Sequence, residues 1–216
     1  MTFSYDTKWV FSNRQGVCMA RPRKASDEDV FAAVYRLMNE RGPTQWTLAD
    51  VAREVGVTAS ALVQRYGSKR DLQLALMEQW SDSAPSLFAT LRERAVTPLA
   101  TIYAYADCVA RLGESPAGLA HHLAYLEMDL TDPDMHRGLR RQAQETRESL
   151  RSLLDEAFAA GELTGSPDTG ALARAVEVTL NGSLMVWGVY QEGSAAESLR
   201  YDLDALLGPY MPPRDD

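Results

Sequence analysis

Residues 47–69 read TLADVAREVGVTASALVQRYGSK, and the fold follows from this stretch. Thr47 is a helix-capping residue, and Leu48, Val51, Ala52 and Val55 recur at the spacing of one helical face. Gly56 stops that helix, since glycine accepts the left-handed turn that closes one. Thr58, or Ser60, caps a short second helix over Ala59–Tyr66, and Gly67 ends it. Two short amphipathic helices joined at Gly56-Val57, with Ala52, Ala59 and Ala61 allowing close approach, have the physics of a helix-turn-helix. In such a unit the first helix crosses a DNA backbone and the second presents its N-terminal face to the major groove. That face carries Thr58, Ala59, Ser60, Val63 and Gln64. Gln64 has the donor and acceptor that pair with adenine, and Ala59 or Val63 suits a thymine methyl. A packed hairpin, with Val63 in the core and Gln64 merely solvated, is the plainer alternative.

Working outward, Ser26 caps a preceding helix whose first turn holds Asp27, Glu28 and Asp29, where the helix dipole favours anions. Phe31, Val34, Leu37 and Met38 follow at helical spacing, and Arg41-Gly42-Pro43 ends the run. Upstream, Met19 precedes a basic arm of Arg21, Arg23 and Lys24, expected to reach phosphate or the adjacent minor groove unless it is only a solvated tail. Residues 1–18 show no steady period and read as a disordered tail or an extension before a natural start at Met19. Downstream, Ser68 caps a helix from Lys69 to at least Trp80, with Pro85 kinking or restarting it on the way to about Arg94. Further helices are expected at about 98–112, 116–130, 133–160, 169–191 and 195–207. Pro98, Pro116 and Pro133 fall just inside their starts, where a missing N–H is harmless. Thr97, Ser115, Asp132 and Asp168 are the caps, and Gly113 and Gly161 the stops. No strand-like alternation appears, so the chain reads as all-α. It divides into the segment 1–18, a helix-turn-helix domain at 19–72 and a larger helical domain at 73–216.

The net charge of −8 argues against a nucleic-acid partner until the chain is split. Residues 19–72 carry nine Lys/Arg against seven Asp/Glu, whereas residues 73–216 carry 11 against 22. The basic end is therefore the N-terminal quarter, and the remainder repels a phosphate backbone. No run of about 18 apolar residues exists to span a membrane, and no secretory pattern opens the chain. Cys18 and Cys108 make neither a disulfide framework nor a metal spacing. A cytoplasmic protein is expected.

The quoted stretch resembles the TetR (tetracycline-repressor) family of transcriptional regulators. That family's signature runs T-x-x-x-I-A-x-x-A-G-V-S, then a short helix ending L-Y-x-H-F-x-S-K-x-x-L. Here Thr47, Val51, Ala52, Gly56, Val57 and Thr58 fill the first part, and Leu62, Tyr66, Ser68, Lys69 and Leu72 the second. The resemblance covers about residues 26–80. It implies a homodimer that binds an operator through these helices and a C-terminal domain that binds a small-molecule effector. It also implies that Thr47 caps its helix and contacts phosphate, and that Lys69 approaches phosphate. Val63 stands where the family has a phosphate-touching tyrosine and cannot donate. Arg65 replaces a histidine with a permanent charge. Tyr66 stands in for the phenylalanine that packs the recognition helix. The implied DNA-binding set is thus Thr47, Thr58, Ala59, Ser60, Val63, Gln64, Arg65, Tyr66 and Lys69.

In the C-terminal domain the resemblance places an effector pocket among the central helices, near Tyr103, Asp107, His122, Tyr125, Leu126, Met135 and Trp187. Aromatic walls with a few polar groups suit a small molecule, although such residues also build ordinary cores. Asp107, Glu127 and Asp129 suit a cationic ligand, or form a solvated acidic face. Val176, Leu180, Leu184 and Trp187, with Leu199, Leu203, Leu206 and Leu207, are the expected dimer faces of the last two long helices. An operator read by such a dimer is pseudo-palindromic. His121 and His122, with Glu127 and His136, invite a metal reading, but adjacent helical side chains diverge by about 100°. No metal, cofactor or catalytic residue is expected. An all-α enzyme or a protein-binding adaptor using the C-terminal pocket is the alternative; no nucleophile-elbow, P-loop, zinc-protease or dinucleotide motif supports an enzyme.

Overall fold

The computed structural model describes residues 25–81, 83–113 and 115–213, so the expected basic arm and the segment 1–18 lie outside the described residues. The chain forms two compact units that divide after Lys69. Among the described residues there is no strand.

The first unit holds α1 (Asp27–Arg41), α2 (Leu48–Val55) and α3 (Ala59–Tyr66). Each begins at a residue suited to begin it. The Ser26 hydroxyl accepts the Asp29 N–H at 3.1 Å while the Asp29 carboxylate accepts the Ser26 N–H at 2.9 Å. Thr47 and Asp50 repeat this reciprocal box at α2, with distances of 3.2 and 2.9 Å. Thr58 caps α3 by accepting the Ala61 N–H at 3.1 Å. Gly56 closes α2 at φ 72°, ψ 30°, the left-handed conformation that glycine enters without steric cost. A Cβ there would meet nothing within 4 Å, so conformation rather than crowding calls for glycine. The apolar rows then close over one another. Val30, Phe31, Ala33, Val34, Leu37 and Met38 of α1, Val51 and Ala52 of α2 and Leu62 of α3 are buried, with Trp46 of the α1–α2 loop.

The second unit runs through α4 (Lys69–Ser81), whose first residue ends the first unit, α5 (Ala84–Arg94), α6 (Pro98–Ala110) and α7 (Pro116–Thr131). It continues through α8 (Pro133–Ala159), α9 (Thr169–Tyr190) and α10 (Ala195–Leu207). Short 3-10 turns occupy Arg111–Gly113 and Gly208–Tyr210. Thr97, Ser115, Asp132 and Asp168 each accept a backbone N–H at the start of a helix. The main core joins Phe88 and Leu91 of α5, Ile102 and Ala106 of α6, Leu150, Leu153 and Leu154 of α8, and the inward rows of α9 and α10.

Those inward rows correct one expectation. Val176, Leu180, Leu184 and Trp187 are buried in the unit's own core, together with Leu199, Leu203 and Leu207, while Leu206 packs partly against it. The strongest apolar row of a helix is used first by the domain that must fold around it. The row left outward on α9 is Val178, Met185, Val186, Val189 and Tyr190.

Away from the main core, α4 runs alongside the first half of α8 in the same direction. The Arg70 guanidinium grips Asp132 with two hydrogen bonds of 2.9 Å and Asp134 with one of 2.6 Å. A turn or two further on, Met77 packs on Gly138, where a Cβ would come within 2.6 Å of Met77 Cγ. Arg141 then donates to the Ser81 hydroxyl. Gln73 donates to the Met128 sulfur at 3.5 Å, linking α4 to α7.

Candidate functional site

Leu62 is the sole buried residue of α3, so this helix rests on its unit by one row and turns the rest outward. Thr58, Ser60 and Gln64 are exposed, and Ala59 is half-buried. Val63 is 48% exposed and is therefore not a core residue. The Thr58 and Ser60 hydroxyls lie 3.0 Å apart at the head of the helix, beside its unpaired N–H groups. The outward surface is thus short, polar at its N-terminus and apolar at Val63. It has the dimensions and chemistry of a groove reader.

The three larger DNA-binding candidates are held by the unit itself. Arg65 donates to the Ala25 carbonyl at 2.6 Å and pairs with Asp27 at 2.6 Å. Tyr66 donates its phenol to the same carboxylate and packs on Phe31, ring centres 6.0 Å apart. Burial first, and Asp27 second, push the Tyr66 phenol well above its ordinary range, so it stays a neutral donor. The end of α3 is in this way fastened to the head of α1. Lys69 donates to the Thr44 carbonyl at 3.1 Å and the Trp46 carbonyl at 2.8 Å. Its ammonium sits 4.3 Å from the Trp46 ring centre, and burial lowers its pKa. These two carbonyls belong to the loop that leads into Thr47. Arg65 and Lys69 therefore fix the geometry of the outward face before they offer charge to anything outside.

Thr47 is exposed and its hydroxyl donates to Asp50 at 2.6 Å. That bond and the Thr47 N–H hold the Asp50 carboxyl down at about 2, with Arg53 and Arg41 adding to the effect. Arg36 is paired with Glu54 at 3.0 Å, and Arg41 and Arg53 with Asp50 at 3.4 and 3.1 Å. Every Arg and Lys among the described residues of the first unit thus has a partner within it, Arg41 and Arg53 sharing Asp50.

The seven effector candidates separate. Tyr103 donates to Asp204, with the Arg200 guanidinium 5.7 Å from its ring centre, and Asp107 is held by Arg200 at 2.8 and 2.5 Å. Both face α10. Trp187 lies in the core, and its indole N–H donates to the Gly193 carbonyl at 3.2 Å. His122, Tyr125 and Leu126 are half-buried on α7, and Met135 is buried in the first turn of α8, which packs on α7. Burial lowers the His122 pKa, so its imidazole is held neutral. Of the three acids, Asp107 is taken by Arg200, Glu127 is exposed, and Asp129 is buried. An open groove of about 410 Å³ between α4 and α8 is lined by Leu74, Met77, Glu78, Asp134, Arg137, Gly138 and Arg141, none of them among the seven. Two further buried polar groups drew no notice in the sequence, Gln79 Oε1 and Glu145 Oε2. Their spacing resembles that of any solvated helix face, and only tertiary packing encloses them.

Among the described residues no group of His, Cys, Asp and Glu is arranged to hold a metal ion, and no helix is long and apolar enough to cross a membrane.

Comparison with known proteins places these features. Residues 30–76 match the family described as bacterial regulatory proteins, tetR family. No curated protein matches the chain in sequence. Among solved structures, a TetR transcription regulator from Haloarcula marismortui is similar with a TM-score of 0.68 at 18% identity, over 86% of this chain and 98% of that one. The reduced form of NemR from E. coli is similar with a TM-score of 0.69 at 18% identity, over 87% and 99%. FadR from Bacillus subtilis, solved in complex with stearoyl-CoA, is similar with a TM-score of 0.64 at 15% identity, over 84% and 98%.

Proposed function

We propose that the chain is a member of the tetR family of bacterial regulatory proteins, whose pattern residues 30–76 match, and that it is a ligand-released repressor that binds a pseudo-palindromic operator as a homodimer. As a member of this family it is a DNA-binding transcriptional regulator. The observation that carries the reading is the outward face of α3. One leucine anchors the helix, and Thr58, Ser60, Val63 and Gln64 are left to the solvent. Gln64 and Val63 are the side chains assigned to base edges, and the N-terminus of α3 with Thr47 to the phosphates. With the cations of the first unit paired internally, the arm of Arg21, Arg23 and Lys24 is assigned the larger share of the charge that meets the backbone.

The partner protomer is assigned to the outward row of α9. Val178, Met185, Val186, Val189 and Tyr190 are all exposed, and a Cβ at Gly182, within the same row, would meet nothing within 4 Å. Two such rows form a flat apolar seam. A dimer reads half-sites about one helical turn apart, roughly 34–36 Å. An effector that favours a conformer with another separation lowers DNA affinity by linkage. That FadR of similar fold was solved in complex with stearoyl-CoA supports a small-molecule effector for this chain.

The test is fluorescence anisotropy of the full chain on DNA flanking its own gene, followed by selection from random oligonucleotides. Selective, salt-dependent binding is expected, with Gln64→Ala relaxing the preference at one base pair per half-site by a factor of about 5 to 100. Replacement of Arg21, Arg23 and Lys24 by Ala is expected to flatten the salt dependence. Failure of both the flanking DNA and the selection to yield a preferred sequence would overturn the regulator reading in favour of an adaptor or enzyme.

A further inference from the structure

The outward face of α3 has a definite chemistry, because Leu62 fixes how the helix is turned. Side chains advance by about 100° per residue around an α-helix. With Leu62 directed into the core, Ser60 and Gln64 point almost opposite to it, and Ala61 and Val63 stand about 100° to either side. All four are exposed. Ala59 lies about 60° from the Leu62 direction and is half-buried, so it belongs to the packed side. The tip that a groove meets is therefore a polar row of Ser60 and Gln64 with an apolar residue on each flank. Ala61, expected from its size to serve close helix packing, is one of those flanks.

The groups missing from this face narrow what it can read. Guanine shows the major groove two acceptors and is read by Arg or Lys, and cytosine shows a donor and is read by Asp or Glu. The α3 sequence contains no Lys, Asp or Glu, and its single Arg is Arg65. The Arg65 guanidinium is turned back to the Ala25 carbonyl and the Asp27 carboxylate, both at 2.6 Å. The Thr58 and Ser60 hydroxyls are engaged with each other at 3.0 Å, and Thr58 also accepts the Ala61 N–H at 3.1 Å. Gln64 is the one long polar side chain on the outward face. Its amide offers a donor beside an acceptor, which matches N7 and the N6 amino group of adenine. Against guanine the amide carbonyl would face O6, acceptor against acceptor. Val63 and Ala61 have no polar atoms in their side chains, and the C5-methyl of thymine is the apolar group that a major-groove edge can offer them.

We propose that the half-site core read by α3 is made of A·T pairs, with Gln64 bidentate on one adenine and the methyls of thymines on adjoining pairs lodged against Val63 and Ala61. This rests on the reading of the chain as an operator-binding regulator and adds the class of sequence that it reads. Ala61 joins Val63 and Gln64 as a specificity-determining residue. Discrimination against G·C in this core comes from absent partners, because a guanine or cytosine edge placed there exchanges its water for a side chain that cannot satisfy it.

The test is a selection from random oligonucleotides with the full chain, followed by fluorescence anisotropy on the selected site at one fixed salt concentration. The pair whose preference is relaxed by Gln64→Ala marks the core, and it is expected to be A·T. Replacing core thymines by deoxyuridine removes only the methyl and should weaken binding about fourfold for each methyl covered. That penalty should shrink at one position in Val63→Ala and at another in Ala61→Gly. Thymine and uracil sites are compared within each variant, so a general loss of stability cancels. Replacing the marked adenine by 7-deazaadenine removes N7 and should weaken the wild type about fivefold while leaving Gln64→Ala indifferent. Gln64→Arg should move the preference at that pair from adenine to guanine, a gain that a misfolded protein cannot show. A marked pair that is G·C, a core indifferent to uracil, or a Gln64→Arg protein that still prefers adenine overturns the inference and leaves the regulator reading standing. A selection that yields no preferred sequence removes both.

Discussion

Lys69 and Arg65 sit within the stretch that matches the tetR family and is proposed here to meet DNA, and each has hydrogen bonds committed inside the unit. A residue that touches phosphate and a residue that shapes the surface touching phosphate differ in a measurable way. Loss of a phosphate contact lowers the slope of log affinity against log salt by about 0.9. Loss of a positioning residue lowers affinity and leaves the slope alone. Lys69→Met removes two charge-assisted hydrogen bonds and a cation–π contact at a partly buried site. It is expected to destabilise the protein by about 1–3 kcal/mol in urea unfolding. It should weaken operator binding with little change in salt slope. A slope reduced by a full contact at unchanged stability would instead make Lys69 a direct phosphate ligand. The same distinction separates Val63 from Arg65. Val63 is open to solvent and its substitution should act on DNA alone, whereas Arg65 ties α3 to Ala25 and Asp27.

At the scale of the element, α2 depends on the box between Thr47 and Asp50. Its eight residues are too few to persist without tertiary contacts and caps. Asp50 is held at about 2 against 3.8 for the free side chain, so the native state keeps the carboxylate charged where the unfolded chain begins to take up a proton. The stabilisation is fully present above pH 4 and is lost as the pH falls from there toward 2. Thr47→Ala removes the hydroxyl that accepts the Asp50 N–H and donates to the Asp50 carboxylate, leaves the backbone half of the box in place, and is expected to cost about 1 kcal/mol at pH 7. The difference between wild type and variant should shrink in thermal unfolding curves taken toward pH 2. A gap that stays constant across that range would show that Asp50 is stabilised by something other than the cap.

For the whole molecule the decisive question is which surface each long helix spends on its own core and which it keeps. The α9 row of Leu180, Leu184 and Trp187 closes the second unit, and the row of Val178, Met185, Val186, Val189 and Tyr190 remains. Val189 at 75% and Tyr190 at 68% exposure are costly to leave in water, which is why this row is assigned to a second copy. Val186→Glu on that row should convert a dimer to a monomer in sedimentation analysis and reduce operator affinity at least tenfold, with the helical spectrum intact. A wild-type monomer, or a variant that stays dimeric, would remove α9 as the seam. The sequence by itself determined where the helices begin and end, because caps, prolines and glycines are local chemistry. Ser26, Thr47, Thr58, Thr97, Ser115, Asp132 and Asp168 all cap as their neighbours imply. It also determined the helix-turn-helix, whose spacing of threonine, glycine and aromatic residues is short-range. Only the tertiary structure decided which apolar row of α9 faces inward, that Arg65 and Lys69 are bound within their unit, and that Asp129 is enclosed while Asp107 and Glu127 are not. Two apolar rows on one helix have the same period, and an acid carries the same charge wherever it lies. What separates them is which neighbours arrive from distant parts of the chain, and that is set by packing alone.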